Sequence, residues 1–267
     1  MRFSVLMSLY WREHPSYLYE SLNSVFSQTL VPDEVVLVED GPLTPELDSM
    51  VREFQEKYPA LKLVKIPVNS GLGNALNEGI KYCTCNIVAR MDTDDICKPD
   101  RFEKQIGFME SHPDVHVLSS GILEFIDTVE NITAVKKLPE THNEILCYSR
   151  KRCPVNHPSA VFRKHSVIEC GGYGPFPEDY YLWAKMIMKG YKFHNLQEPL
   201  LFFRSSNDVY KRRGGWNYFI AMSKLQVFLY KIKFLPIGTF LYNFIIRGVV
   251  SLAPNVVRKA IYTKFLR

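Results

Sequence analysis

The six cysteines of this sequence include no C-x-x-C pair. Cys83, Cys85, Cys97, Cys147, Cys153 and Cys170 therefore support neither a zinc ribbon nor a thioredoxin-like dithiol, and they read as free thiols of a reducing cytoplasm. The sequence also lacks the ~20 consecutive apolar residues that cross a bilayer. Its best candidate, 234–252, is cut by Arg247 after about 13 residues. The first eight residues are apolar but too short for a signal peptide, and they have no small-residue cleavage site. They read as a buried first strand. No internal repeat or low-complexity segment occurs. Acid is missing from one end altogether: residues 209–267 hold 11 Lys or Arg and no Asp or Glu. Residues 1–208 then carry 22 basic against 28 acidic side chains, a net −6, although the whole chain is +5.

What is present suits one sizeable α/β domain, or one domain with an appendage. The 267 residues are too few for two full domains, and 46% hydrophobic with 23% charged content argues against extended disorder. Apolar runs alternate with amphipathic stretches through the first half, which predicts βα units around a mostly parallel sheet. Strands are expected at 3–9, 34–39, 61–66 and 86–91, and helices at 17–28, 45–58 and from the Gly-rich loop 69–73 to Tyr82. The turn Asp40-Gly41-Pro42 follows the second strand. A helix at 99–111 and a strand at 115–119 come next, then a less regular region with Asn156-His157-Pro158-Ser159 and Gly171-Gly172-Tyr173. Glu178-Asp179 opens an amphipathic stretch, 180–189, stopped by Gly190. In an open α/β sheet ligands bind beyond the carboxyl ends of the strands, so the loops after Leu9, Glu39, Ile66 and Met91 should share one mouth.

The tail divides into expected helices at 218–231, 237–252 and 256–265, with breaks at Pro236 and Pro254. Its basic, aromatic-rich composition suits an anionic partner, either nucleic acid or a membrane surface. No helix-turn-helix, zinc or RNA-binding signature accompanies it, which argues against nucleic acid. A helix with Phe240, Leu241, Phe244 and Ile245 on one side, flanked by Lys231, Lys233, Arg247, Arg258 and Lys259, would lie in an anionic leaflet. The same apolar positions could instead cover the main domain or a homodimer partner.

The chemistry concentrates in Asp92-Thr93-Asp94-Asp95, delivered by the fourth strand. Three aspartates within four positions at the end of a buried strand repel one another unless a cation compensates. Hard oxygen ligands suit Mg²⁺ or Mn²⁺, which completes its shell with substrate phosphates. An EF-hand loop is a poor fit, since Ile96 and Cys97 stand where a ligand and a Gly belong. A D-x-D phosphatase of the haloacid-dehalogenase type uses such a run, but at its first strand and without Ile in the position of Ile96. A D-x-D metal and nucleotide-sugar site suits a fourth strand.

The chain resembles a family-2 glycosyltransferase with the glycosyltransferase-A fold, of the kind found in bacterial capsule and exopolysaccharide biosynthesis. The resemblance runs through Ser4-Val5-Leu6-Met7-Ser8-Leu9-Tyr10 with Glu13, Ser24-Val25-Phe26-Ser27-Gln28-Thr29, and Glu39-Asp40-Gly41. It continues through Asn69-Ser70-Gly71-Leu72-Gly73 with Asn77-Glu78-Gly79, then Ala89-Arg90-Met91-Asp92-Thr93-Asp94-Asp95 and Pro99-Asp100-Arg101-Phe102-Glu103-Lys104-Gln105. His157-Pro158-Ser159 and Glu178-Asp179-Tyr180-Tyr181-Leu182-Trp183 complete the set. Each segment alone is weakly specific; the ordered set is not.

That resemblance implies a Rossmann-like α/β domain over 1–208, with a nucleotide-sugar half to about 115 and an acceptor half from about 116, and a basic helical tail over 209–267. It implies that Leu9, Tyr10, Glu13, Asp40, Gly71, Asn74, Arg90 and Asp92 bind the UDP-sugar donor, Asp40 by accepting a hydrogen bond from the base. Asp92 and Asp94 would ligate Mn²⁺ or Mg²⁺ with Asp95 in support, and Asp179 would be the general base. Glu178 would orient the acceptor or its loop, His157 could approach the metal or diphosphate, and Trp183 would pack in the core. Some relatives have a His after the strand near Phe203-Arg204, where this chain has Ser205-Ser206, so that third metal ligand is missing. The implied activity is inverting transfer of a hexose or N-acetylhexosamine to a hydroxyl of a lipid-linked saccharide, in the cytoplasm at the inner face of the cell membrane. Against it stand the phosphatase and a non-catalytic sugar-nucleotide-binding scaffold.

Overall fold

Strands that are apolar at nearly every position need cover on both faces, and the central sheet has it. The structure, a computed structural model, describes residues 1–205, 214–254 and Arg258. Strands β1 (Phe3–Leu9), β2 (Glu34–Asp40), β3 (Leu61–Ile66) and β4 (Ile87–Arg90) lie in the order β3-β2-β1-β4, all parallel. Their crossovers carry α1 (Pro15–Phe26), α2 (Pro45–Lys57) and α3 (Leu72–Tyr82). Each helix starts where its sequence allows. Pro15 and Pro45 occupy first-turn positions where the missing N–H costs nothing, and Thr44 Oγ1 accepts from Leu47 N–H at 3.4 Å.

The second half is mixed rather than mostly parallel. It holds β5 (Ile96–Cys97), α4 (Arg101–Ser111), β6 (Val115–Phe125), β7 (Ile132–Lys136), α5 (His142–Ser149), a 3₁₀ turn (His157–Ser159) and β8 (Val161–Arg163). Next come α6 (Lys164–Glu169), α7 (Glu178–Met188) and β9 (Lys192–Arg204). The sheet continues β4-β8-β6-β9-β5; β8 runs antiparallel to both β4 and β6, while β9 is parallel to β6. Strand β6 is longer than the expected 115–119 because Ser119-Ser120-Gly121 stays paired with β9. Ser119 Oγ donates to Asn195 Oδ1 at 2.6 Å, and Asn156 Nδ2 donates to Ser120 C=O at 2.9 Å.

Alternation along β1 separates two cores. Val5, Met7 and Leu9 face α1, α2 and α4, meeting Leu22, Val51 and Phe102, whereas Leu6 faces α3 and the Trp183 side of α7. Helix α3 approaches so closely that a Cβ on Gly79 would stand 2.5 Å from Leu6 Cδ1. Truncating a fully buried leucine such as Leu22 costs about 2–5 kcal/mol here.

The tail is built onto this body. Helix α8 (Trp216–Lys231) sets Met222, Leu225 and Leu229 against Tyr181 and Ala184 of α7, and α9 (Ile237–Leu252) lies beside it. The apolar face expected on α9 is divided. Phe240 and Phe244 turn inward to Tyr230 and Phe219, while Leu241 and Ile245 are exposed. The expected boundary at 208/209, the basic run Lys211-Arg212-Arg213, Lys259 and, apart from Arg258, the expected helix 256–265 lie outside the described residues.

Candidate active site

The acidic run leaves β4 gripped from two sides. From the N-terminal side, Met91 N–H donates to Leu6 C=O at 3.1 Å, Ser21 Oγ donates to Asp92 C=O at 2.8 Å, and Thr93 Oγ1 donates to Glu13 at 2.7 Å. From the far side comes Arg204, the last residue of β9. Its N–H donates to Asp95 Oδ1 at 2.9 Å and its Nε to Asp94 C=O at 2.9 Å, while Nη2 pairs with Glu20 and the guanidinium lies 4.0 Å over the Tyr17 ring. Carboxylate oxygens of Asp92, Asp94 and Asp95 consequently fall within 4.8 Å of one another. Among the described residues no other three His, Cys, Asp or Glu gather in this way.

Such crowding has an electrostatic signature. Burial, then Asp92 and Glu13, push the Asp94 carboxyl up to about 7. Burial, then Asp94 and Asp92, hold Asp95 well above the usual carboxylate range, and its Oδ2 has no hydrogen-bond partner. Three hard oxygen donors that cannot all ionise alone fit a Mg²⁺- or Mn²⁺-type cation. Beside them Arg90, 1% exposed, gives Nη2 to Asp92 but leaves Nε and Nη1 without partners. A buried guanidinium with two unused donors is a ready anion contact.

Asp179 stands at the second position of α7, inside the helix rather than at its cap. It is half-buried. Its Oδ1 accepts Tyr180 N–H at 2.7 Å, and its Oδ2 accepts the Cys153 thiol at 3.2 Å. Burial raises its pKa, opposed by the Cys153 thiol, the Tyr180 N–H and the charges of Arg90 and Lys136. Glu178 is raised by burial and then by Asp179. The charge of Arg90 acts on Asp94 and Asp95 as well as on Glu178 and Asp179, so the acidic run and the start of α7 border one site.

The loop entering α7 is tied to α3. Asn77 accepts Tyr173 N–H at 2.8 Å and donates to Tyr173 C=O at 3.0 Å. Gly73 must be glycine because a Cβ there would stand 2.7 Å from Gly174 C=O. His157 is buried, with Nε2 3.1 Å from the Tyr173 hydroxyl and its ring near Trp183, and burial followed by Arg90 holds it neutral. It therefore packs behind the site and is absent from the carboxylate cluster. Trp183 is fully buried, as expected.

On the nucleotide side the expectations need adjustment. The Leu9 side chain is completely buried in the core, so only its backbone can face a ligand. Tyr10 is exposed just beyond β1, and Glu13 is engaged with Thr93. Asp40 is 2% exposed and already holds the 69–73 loop: Oδ1 accepts Ser70 N–H at 2.7 Å and Ser70 Oγ at 3.0 Å, and Oδ2 accepts Gly71 N–H at 2.9 Å. The Ser70 and Gly71 N–H groups thus serve Asp40 here. Gly71, at φ +87°, and Asn74, whose Nδ2 donates to Ser70 C=O at 2.9 Å, are exposed at the start of α3.

Four participants were not singled out from the sequence for a role: Arg204, Cys153, Asn77 and Arg101. Arg101 is fully buried and donates from Nη2 to Arg90 C=O at 2.7 Å, bracing the residue before Met91. A cation ending an apolar strand, as Arg204 does, is the one signal that charge complementarity to the acidic run could have flagged. Cys153 and Asn77 carry none.

Comparison with known proteins identifies the family and the fold. The model of glycosyl transferase family 2 matches residues 4–172. An uncharacterized glycosyltransferase of Haemophilus influenzae is 45% identical over 267 residues, covering 100% of both chains. An Escherichia coli protein named UDP-Gal:alpha-D-GlcNAc-diphosphoundecaprenol beta-1,3-galactosyltransferase is 39% identical over 100% of this chain and 97% of its own. Among solved structures, residues 1–349 of Staphylococcus aureus TarS in complex with UDP-GlcNAc superpose with a TM-score of 0.69 at 17% identity, over 100% of this chain and 76% of that one. A Pyrobaculum calidifontis mannosyltransferase in complex with GDP-Man and Mn²⁺ gives 0.65 at 18%, over 99% and 75%. Both share the fold. The phosphatase and non-catalytic readings fall away: with its acidic run after the fourth strand and its match over most of the catalytic body, the chain is a glycosyltransferase and belongs to glycosyl transferase family 2.

Proposed function

We propose that the enzyme transfers a hexose or N-acetylhexosamine from a UDP-sugar to a hydroxyl of a lipid-linked saccharide, with inversion, in surface polysaccharide synthesis. The observation that carries this is the pairing of two carboxylate groups of different character across Arg90. Asp92 and Asp94 would hold a divalent cation, with Asp95 kept in register by the Arg204 N–H. When bound, that cation neutralises the leaving diphosphate. The unpartnered Nε and Nη1 of Arg90 add donors for the same anion without needing to be deprotonated or desolvated afresh.

Asp179 does the complementary task. Its raised proton affinity and half-buried position suit a base that takes the acceptor hydroxyl proton as the oxygen attacks. Attack on the face opposite the diphosphate inverts the anomeric centre. The E. coli relative, similar end to end, acts by its name on a diphosphoundecaprenol-linked sugar with UDP-Gal, which supports a lipid-linked acceptor and a UDP-hexose donor.

The test is release of UDP from a panel of UDP-sugars with Mn²⁺ or Mg²⁺ and a lipid-diphosphate-linked monosaccharide. Asp179→Asn should bind donor as tightly as the parent while transfer falls roughly 10²–10⁴-fold. Unchanged turnover in that variant, or a product that retains the donor's anomeric configuration, overturns the reading.

A further inference from the structure

An amphipathic helix on a protein in water buries its apolar stripe and shows its polar one. Helix α9 does the opposite. Its fully buried positions are Asn243 and Ser251, and its exposed positions are Ile237, Gly238, Leu241, Tyr242, Ile245, Ile246, Val249 and Leu252. At 100° per residue these exposed positions form one continuous arc with no charged side chain in it. Ile245 and Val249 near its middle are 62% and 61% exposed.

The polar side is fixed to the body, so this orientation is specified by hydrogen bonds. Asn243 Nδ2 donates to Arg150 C=O at 2.8 Å and Arg247 Nη2 donates to Lys151 C=O at 2.7 Å. Phe240 and Phe244 complete the inner side against Tyr230 and Phe219. Rotating the helix to hide the apolar arc would break both anchors.

We infer that the outward arc of α9 is a seat on an anionic lipid bilayer, into which Leu241, Ile245, Val249 and Leu252 insert while the helix lies in the plane of the leaflet. Charge identifies the occupant. Exposed Lys231 and Lys233 lead into the helix, and residues 209–267 contain 11 basic and no acidic side chains. Anionic headgroups complement the exposed Lys231 and Lys233; a second copy presenting the same lysines repels them. The helix is 16 residues, about 24 Å, and no described helix is long and apolar enough to cross a membrane. Insertion is therefore parallel to the surface.

The anchors also fix what faces the leaflet. Arg150 and Lys151 lie just before Cys153, whose thiol touches Asp179, so α9 is bolted to the segment that flanks the base. Seating α9 holds the acceptor side of the site next to the lipid headgroups. This last step rests on the lipid-linked acceptor proposed above, whereas the attachment itself does not.

The experiment is flotation of the full chain with vesicles of phosphatidylcholine, with and without phosphatidylglycerol, in the absence of donor, metal and acceptor. The protein should float with the anionic vesicles, and less so as salt is raised. Ile245→Glu/Val249→Glu should lower the floated fraction roughly tenfold or more; Leu241→Glu/Leu252→Glu, tested independently, should do the same. Both double variants should keep the parent's transfer to a short-chain, water-soluble acceptor while losing transfer to a vesicle-embedded one. Failure of the parent to float, or flotation of both variants equal to the parent's, overturns the seat. A dimer in light scattering that both pairs dissociate, without flotation, assigns the arc to a second copy instead. Absence of transfer to either acceptor would count against the proposed reaction and leave the flotation result standing.

Discussion

The carboxylate cluster makes stability depend on pH and metal in a way that can be calculated and measured. At separations up to 4.8 Å and an effective dielectric of about 20, each pair of ionised carboxylates repels by about 3 kcal/mol or more. In the unfolded chain these groups ionise near pH 4. Folded, Asp94 keeps its proton up to about 7, with burial as the main cause. A carboxyl that binds its proton more tightly when folded favours the folded state at low pH, and that advantage is lost as pH rises through the folded value. Metal-free enzyme should therefore lose stability steadily from about pH 4 to pH 7. One such repulsion corresponds to a fall in Tm of roughly 6–12 °C for a chain of this size. A bound divalent cation displaces the protons, so Mn²⁺ should restore most of the loss at pH 8 and little at pH 5. Scanning calorimetry across that range, with chelator or with Mn²⁺, measures both. A metal-free Tm that is flat from pH 5 to pH 8, or equal Mn²⁺ stabilisation at both ends, would refute the reasoning.

Other outcomes follow from contacts at the site. Replacing Cys153 by Val removes a donor that stabilises the ionised Asp179, so the acidic limb of the kcat profile should move to higher pH, with Cys153→Ser restoring it. Arg204→Met keeps the N–H to Asp95 but frees the Asp94 carbonyl and Glu20; Mn²⁺ affinity by calorimetry should fall about 10–100-fold while UDP binding without metal is unchanged. Asn77→Ala leaves the Tyr173 N–H and C=O unpaired and should cost about 1–3 kcal/mol in urea unfolding, with an increased KM for acceptor as the α7 loop loosens.

Legibility in the sequence followed the range of the interactions. The βα half was readable because β1, β2 and β4 are apolar at consecutive positions and their helices repeat on one face. The expected 3–9 and 61–66 strands match β1 and β3, and the expected 237–252 helix matches α9. Helix starts were less so: α1 begins at Pro15 instead of 17, because proline is admitted at a first turn that pattern reading skips. Asp92, Asp94 and Asp95 were visible as a cluster since they are adjacent in the chain. Arg204 and Cys153 were not, because their partners lie 110 and 26 residues away and nothing local encodes those meetings. The orientation of α9 was misread for a related reason. Period alone gives a helix an apolar side, but the hydrogen bonds of Asn243 and Arg247 decide which way it turns.

If Asp40 meets the base as the family resemblance implies, its grip on the 69–73 loop would make nucleotide recognition an exchange of partners. The base would then want the Asp40 carboxylate and the phosphates the N–H groups at the start of α3, yet both are satisfied by each other, at 2.7 Å from Ser70 and 2.9 Å from Gly71. A nucleotide presenting only a base, or only a phosphate, would break those bonds and repay half of them. One that carries both ends would engage the released carboxylate and the released amides together. The resting loop would thus favour complete nucleotides over their parts, independently of the carboxylate cluster.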